Sequence, residues 1–138
     1  MLLDSDLCIE DLTGRKVGAD THELEEANRA RYVLRHTPKD AEAAEFAYYR
    51  TWVLRASMLT SRAVYYDRSG RKVREYSVLR WRRSQGHPTV EAAEVRNHHT
   101  RSVTTLEWRD AKYDVGLTES DFAESSLRDP PGRLLIAR

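Results

Sequence analysis

Between residues 48 and 115, β-branched and aromatic side chains fall in short runs of alternating polarity, separated by turn residues at spacings that suit an antiparallel meander. Residues 48–56 read as one strand. Alternation sets Tyr48, Arg50, Trp52 and Leu54 on one face and Tyr49, Thr51, Val53 and Arg55 on the other. Residues 61–67 read as the next strand. Asp67, Arg68, Ser69 and Gly70 give the clearest turn, because Asp hydrogen-bonds the backbone two residues on and Gly takes a positive φ without steric cost. Residues 72–83 alternate again, with Val73, Glu75, Ser77, Leu79 and Trp81 opposite Arg74, Tyr76, Val78, Arg80 and Arg82. Gln85, Gly86, His87 and Pro88 break the run, 89–97 resume it, and 97–101 read as another hairpin connection. Residues 102–115 read as the last long strand. It is bulged near Asp110, since Leu106 and Trp108 share a face that Tyr113 joins only after one extra residue.

Gly116 ends that strand, and Thr118 to Asp121 open a short helix with Thr118 as N-cap, Asp121 as first-turn acid and Phe122 as anchor. The helix stops before Asp129, Pro130, Pro131 and Gly132. The first third has two readings. Leu24, Ala27, Arg31 and Leu34 make a weak helical stripe behind the capping-box spacing of Asp20 and Glu23, while residues 31–37 also read as a strand ending at Pro38. Residues 41–46 fit either a helix or a loop with a helical turn.

Composition narrows the class. The chain has 138 residues, 40% apolar, with 23 basic against 22 acidic side chains and a formal net charge of +1. A chain of this length buries roughly 68% of its unfolded surface, enough for one domain's core. The balanced charge gives no general attraction to nucleic acid or an anionic membrane. The single cysteine, Cys8, cannot form an intramolecular disulfide. Residues 1–6 lack the basic start and apolar run of a secretory signal.

Little in the pattern points to catalysis or metal. Of the five histidines, His22, His36, His87, His98 and His99, only the last two are adjacent, and neighbours on a strand face opposite ways. The expectation is therefore no metal, no cofactor and no catalytic residue. The basic run of Arg71, Lys72, Arg74, Arg80, Arg82 and Arg83 around Tyr76 and Trp81 has the composition of a single-strand nucleic-acid surface. Partnership with Glu91, Glu94 and Glu107 on other strands is the simpler account, so no nucleic-acid partner is expected. Trp52, Trp81 and Trp108 fall one to a strand, as core residues or as the wall of a ligand cavity.

The segment Tyr65, Tyr66, Asp67, Arg68, Ser69, Gly70, Arg71 and Lys72 resembles the Tyr-Tyr-Asp-Arg-x-Gly-Lys hairpin of the outer-membrane lipoprotein-sorting proteins, the LolA-like carriers. Upstream, Glu10, Asp11, Leu12, Thr13, Gly14 and Arg15 are similar to that family's Glu-Asp-Leu-(Thr/Gly)-Gly-Arg stretch, and Tyr32, Val33 and Leu34 with Thr37, Pro38, Lys39 and Asp40 to its strand and Pro-Lys-Asp segment. Downstream, Asn97, His98 and Thr100, then Thr104, Leu106 and Glu107, then Asp114, Val115, Gly116 and Leu117 with Phe122 and Leu127 follow in the family's order. The resemblance implies a mainly β fold, a curved antiparallel sheet forming an incomplete half-barrel with a short C-terminal helix. It implies non-catalytic binding and transport of lipid or lipoprotein acyl chains in the bacterial envelope, a periplasmic location, and an envelope transporter or receptor as partner. On that model Trp52, Leu54, Leu79, Trp81, Leu106 and Trp108 line a hydrophobic cavity. The alternative is a structural or interaction module with a filled concave face. The likeness covers about the second half of the family pattern, which leaves open a single domain over 1–138 or a LolA-like domain lacking its N-terminal strands and helix. Exposed sheet edges would then invite a homodimer.

Overall fold

The computed structural model describes residues 5–8, 10 and 13–129. Among them the chain forms one antiparallel sheet in sequence order: β1 (Asp20–Ala27), β2 (Arg31–Pro38), β3 (Tyr48–Leu54), β4 (Thr60–Tyr66), β5 (Lys72–Ser84), β6 (His87–Asn97) and β7 (Val103–Glu107). The seven strands do not close, and the sheet is a curved, mainly β half-barrel. A 3-10 turn (Val17–Ala19) leads into β1. A second (Glu119–Phe122) precedes a short helix, α1 (Glu124–Arg128).

The turns follow from local chemistry. The Asp67 side chain accepts from the Ser69 and Arg71 amides, and Gly70 takes φ 74°. Asn97 does the same for His99 and Thr100. Asn28 caps the β1–β2 hairpin by accepting from Ala30 and Arg31, so residues 20–35 are two strands rather than a helix. The break after β5 is only the pair Gln85 and Gly86, at φ 49° and 83°, so His87 and Pro88 already belong to β6. Two positive φ values in a two-residue loop match the twist of the flanking strands. Residues 41–46 form a loop, whose turn rests on the Asp40 carboxylate accepting from Glu42 and Ala43.

Two expectations are corrected. The last strand ends at Glu107, not near Val115, and its final rung is the Trp108 amide on the Glu91 carbonyl. Beyond it the Gln85 side-chain amide takes a strand's place, accepting from the Tyr113 amide and donating to its carbonyl. Phe122 is 74% exposed and anchors nothing. The Thr118 and Asp121 spacing does cap the turn, with the buried Asp121 carboxylate accepting from both the Thr118 amide and hydroxyl.

Paired residues share a face, so the register separates two surfaces. The outer one carries Tyr48, Arg50, Trp52, Arg62, Val64, Tyr66 and Glu75. Here Val64 is fully buried. The cover is made of flat side chains: Tyr48 stacks on Tyr66 at 4.8 Å, Arg35 lies 4.1 Å over Tyr48, and Arg62 lies 4.9 Å over Trp52 while donating to Glu75. Arginine stems and aromatic rings shield apolar atoms while the charged heads stay paired at the surface.

Gly86→Ala should lower unfolding stability by roughly 1–2 kcal/mol, because a Cβ at positive φ meets the following carbonyl. Urea denaturation measures this, and an unchanged midpoint would contradict the turn assignment.

Candidate functional site

The inner face is built around a cross-strand row. His36, Tyr49, Tyr65 and Arg74 are successive partners on β2, β3, β4 and β5. His36 stacks on Tyr49 at 4.4 Å, Tyr49 on Tyr65 at 5.0 Å, and the Arg74 guanidinium covers Tyr65 at 5.1 Å. Phe46, from the loop before β3, meets both tyrosines edge-on. Tyr49, Ala63 and Tyr65 form a buried cluster here, with Phe46, Val73 and Tyr76 packed against it.

Beside this row lies an open cleft of about 450 Å³, within the usual range for small-ligand sites. Its floor comes from Tyr49, Thr51, Ala63, Tyr65 and Tyr76, and Pro88 and Val90 of β6 close one side. Met58, Leu59 and Thr60 of the β3–β4 turn stand at another, and Glu10, Gly14 and Arg15 at a third. The wall therefore mixes aromatic rings and methyls with hydroxyls, one guanidinium and one carboxylate. Such a surface can hold an apolar chain along its floor and a polar group at its margin.

The described residues before β1 make contacts at both sides of this inner face and together act as a strap. Asp6 accepts from the Ser102 and Thr104 hydroxyls at the β7 side. Arg74 on β5 donates to Cys8 Sγ. At the other side Arg15 grips Asp20 with two bonds, Nε to Oδ2 at 3.1 Å and Nη2 to Oδ1 at 3.0 Å, and lies 5.1 Å over Phe46. Asp20 is 3% exposed and also accepts from the Tyr49 hydroxyl at 2.8 Å. Burial pulls the Asp20 carboxyl up, but the bonds from Arg15 and Tyr49 outweigh it and hold it below the usual carboxylate range. Burial and the bond to Asp20 push the Tyr49 phenol well above its ordinary value.

A second chain of bonds runs from the cleft to the strap's root. The His22 Nε2 faces the Val17 carbonyl at 2.9 Å, and a carbonyl can only accept. The remaining polarity follows: His36 Nδ1–H donates to His22 Nδ1 at 2.7 Å, and the Thr51 hydroxyl donates to His36 Nε2 at 2.8 Å. Burial, then the neighbouring His22, holds the His36 pKa below its ordinary value, with Asp20 opposing.

The six residues singled out from the sequence are dispersed. Trp52 and Leu54 lie on the outer face, Trp52 beneath Arg62. Trp81 pairs with the cleft residue Val90 and is 38% exposed, and Leu106 pairs with Ala93, so both share the inner face without lining this cleft. Leu79 sits at a bulge between Val78 and Arg80 and is 57% exposed, and Trp108 follows the end of β7. The signal for the cleft was charge rather than tryptophan. Arg50, Arg62, Glu75 and Glu94 all fall on one alternation phase, and the opposite phase carries Tyr49, Thr51, Ala63, Tyr65 and Tyr76. Of the basic run, Arg80 and Arg82 both pair with Glu91, as the register allows. Among the described residues, no group of three or more His, Cys, Asp or Glu is placed to hold a metal, and no helix is long and apolar enough to cross a membrane.

The sequence model of a family described as "Uncharacterized protein" matches residues 1–129. The chain belongs to that family. No curated protein matches it. Three solved structures share its fold. A DUF1329 family protein from Desulfovibrio piger has a TM-score of 0.77 at 28% identity, covering 92% of this chain and 55% of that one. A domain described as an outer membrane lipoprotein-sorting protein, from Vibrio parahaemolyticus, has 0.79 at 21% identity, covering 93% and 56%. A LolA superfamily protein from Nitrosomonas europaea has 0.60 at 19%, covering 79% and 51%. The half-barrel is thus LolA-like, and the chain spans about half the length of each structure it matches.

Asp20→Asn should cost on the order of 2 kcal/mol, since the Arg15 cation loses its counter-charge and Tyr49 an ionic acceptor. Thermal denaturation checks this. Stability should also fall on acidification in two windows. His36 has a depressed folded pKa, so below about pH 6.5 the unfolded chain binds more protons and stability drops. The Asp20 contribution persists until about pH 3.9 and is lost below it. A His36→Gln variant should lose the first decline and keep the second in a pH series of urea midpoints.

Proposed function

We propose that the protein is a non-catalytic carrier that binds an acyl chain of a lipid or lipoprotein on its inner face, within a bacterial envelope pathway. One observation carries this reading: a half-barrel of the fold found in a lipoprotein-sorting domain holds an open cleft of about 450 Å³ on its inner face. Tyr49 and Tyr65, whose faces are covered within the row, offer ring edges to methylenes beside Tyr76, and Ala63 leaves room between them. Each buried methylene adds about 0.8 kcal/mol, so a single long chain supplies useful affinity without ionic contacts. Arg15 and Glu10 at the margin suit the polar end of such a ligand. Trp81, exposed, and Leu106, half-buried, share that face and extend the apolar track. A periplasmic location and a transporter or receptor that loads the cleft belong to the same proposal.

The second reading is an interaction module whose inner face is filled by its own side chains. The packing of Tyr49 and Tyr65 under Phe46 favours it. The two readings differ in what fills the cleft.

An NBD-labelled palmitoyl peptide amide, which has no ionisable group, should bind saturably at neutral pH with Kd in roughly the micromolar range. Ala63→Trp, which fills the floor, should weaken it by about tenfold or more while the fold, read by circular dichroism, is kept. Absence of saturable binding, or an Ala63→Trp variant that binds as well as wild type, would exclude this cleft as the acyl site.

A further inference from the structure

The bond chain Thr51, His36, His22, Val17 joins the floor of the cleft to the segment that walls one margin. Thr51 lines the cleft, and Gly14 and Arg15 line the margin. Between them, His22 holds the Val17 carbonyl two residues after Arg15. We propose that the His22–His36 pair is a pH-sensitive latch: with both rings neutral it clamps residues 13–19 against the sheet, and with both protonated it releases them and weakens binding in the cleft. This rests on the carrier reading for its ligand, but not for its movement.

Proton accounting gives the latch its threshold. In the neutral pair one proton lies between the two Nδ1 atoms and the outer nitrogens are satisfied by Val17 and Thr51. A first added proton is absorbed at His36 Nε2 if the Thr51 hydroxyl turns its hydrogen toward the cleft and accepts instead. A second proton has no such place. It sets N–H against N–H between atoms now 2.7 Å apart, and puts two like charges on directly opposed residues of β1 and β2. His36 is buried under the stacked Tyr49, whereas His22 is exposed, so His22 is the ring that swings into water. Its departure frees the Val17 carbonyl.

The groups around the pair decide whether the charges are tolerated. From β1, Asp20 faces the pair, but both its oxygens are engaged by Arg15 and Tyr49. From β3 come Tyr49, which donates to Asp20, and the neutral Thr51. From the strap comes Arg15, a cation, with Glu10 near it. After β2, Lys39 donates to the Gly18 carbonyl and adds a second cation at the root. Among the described residues, the carboxylate that faces both rings is already engaged, and Glu10 lies beside the Arg15 cation, so the doubly charged pair gains no free counter-charge.

The test uses the full chain and the NBD-labelled palmitoyl peptide amide between about pH 7.5 and about pH 5, together with amide hydrogen exchange of residues 13–19 by mass spectrometry, corrected for intrinsic rates. Wild type should lose about tenfold or more in affinity across that range, with residues 13–19 exchanging faster at the acid end. His22→Gln and His36→Gln should each change by less than about twofold and show no acid-dependent gain in exchange. Should His36→Gln fail to fold, His22→Gln, at an exposed position, carries the comparison. Equal pH dependence in wild type and His22→Gln would overturn the latch, as would unchanged exchange in wild type. If the probe binds at no pH, the exchange measurement decides alone: faster exchange in wild type but not in His22→Gln keeps the latch and removes the carrier, and no difference removes both.

Discussion

The buried Asp20 carboxylate is the contact on which the rest of the inner face depends. Removing a charge from water is costly unless every lone pair finds a donor, and here two come from Arg15 and one from Tyr49. Meeting that demand has three structural effects. It fixes the root of the strap to β1, orients Tyr49 so that His36 and Tyr65 stack on its two sides, and leaves Arg15 lying over Phe46. A residue 3% exposed at the first position of an edge strand thus sets the shape of a cleft on the neighbouring strands.

The two faces solve the problem of a single-layer sheet differently. On the outer side, where Val64 and Val33 are buried, long charged side chains lie flat over rings and pair with one another. On the inner side there are few such pairs to spread, and rings stack in a row along the direction of the backbone hydrogen bonds. That row is dense near β2 to β4 and gives way to space beside Ala63 and Thr51. The cleft is the place where large side chains stop.

The fold was legible in the sequence wherever turn chemistry was local. Asp67 and Gly70, Asn97, and the period-two runs of β3 to β6 were placed to within a residue or two, and the order of short motifs matched a LolA-like sheet that the solved structures share. What could not be read depended on distant partners. Residues 109–115 have strand composition, but in place of a ladder the Gln85 side chain meets both backbone groups of Tyr113. The β1–β2 hairpin hid behind charges because its edge strand is exposed at every position after Asp20. The cleft was hard to read for a related reason: tryptophans attract notice, whereas Trp52 is outer-face cover and the cleft is lined by a tyrosine, threonine and alanine phase that looks ordinary residue by residue.

The strand order has a consequence for how the molecule is made. Every strand pairs only with its neighbours in sequence, so no rung waits for a distant segment. Loop-closure entropy is low at each step, and contact order stays small for an all-β chain. The sheet can therefore grow strand upon strand from either end, as a zipper extends, and a chain emerging gradually from a ribosome or a translocation pore could fold in the order in which it appears. The strap is different. Its bonds between Asp6 and the Ser102 and Thr104 hydroxyls join residues 96 and 98 positions apart, so they close only after the strands between them have been made.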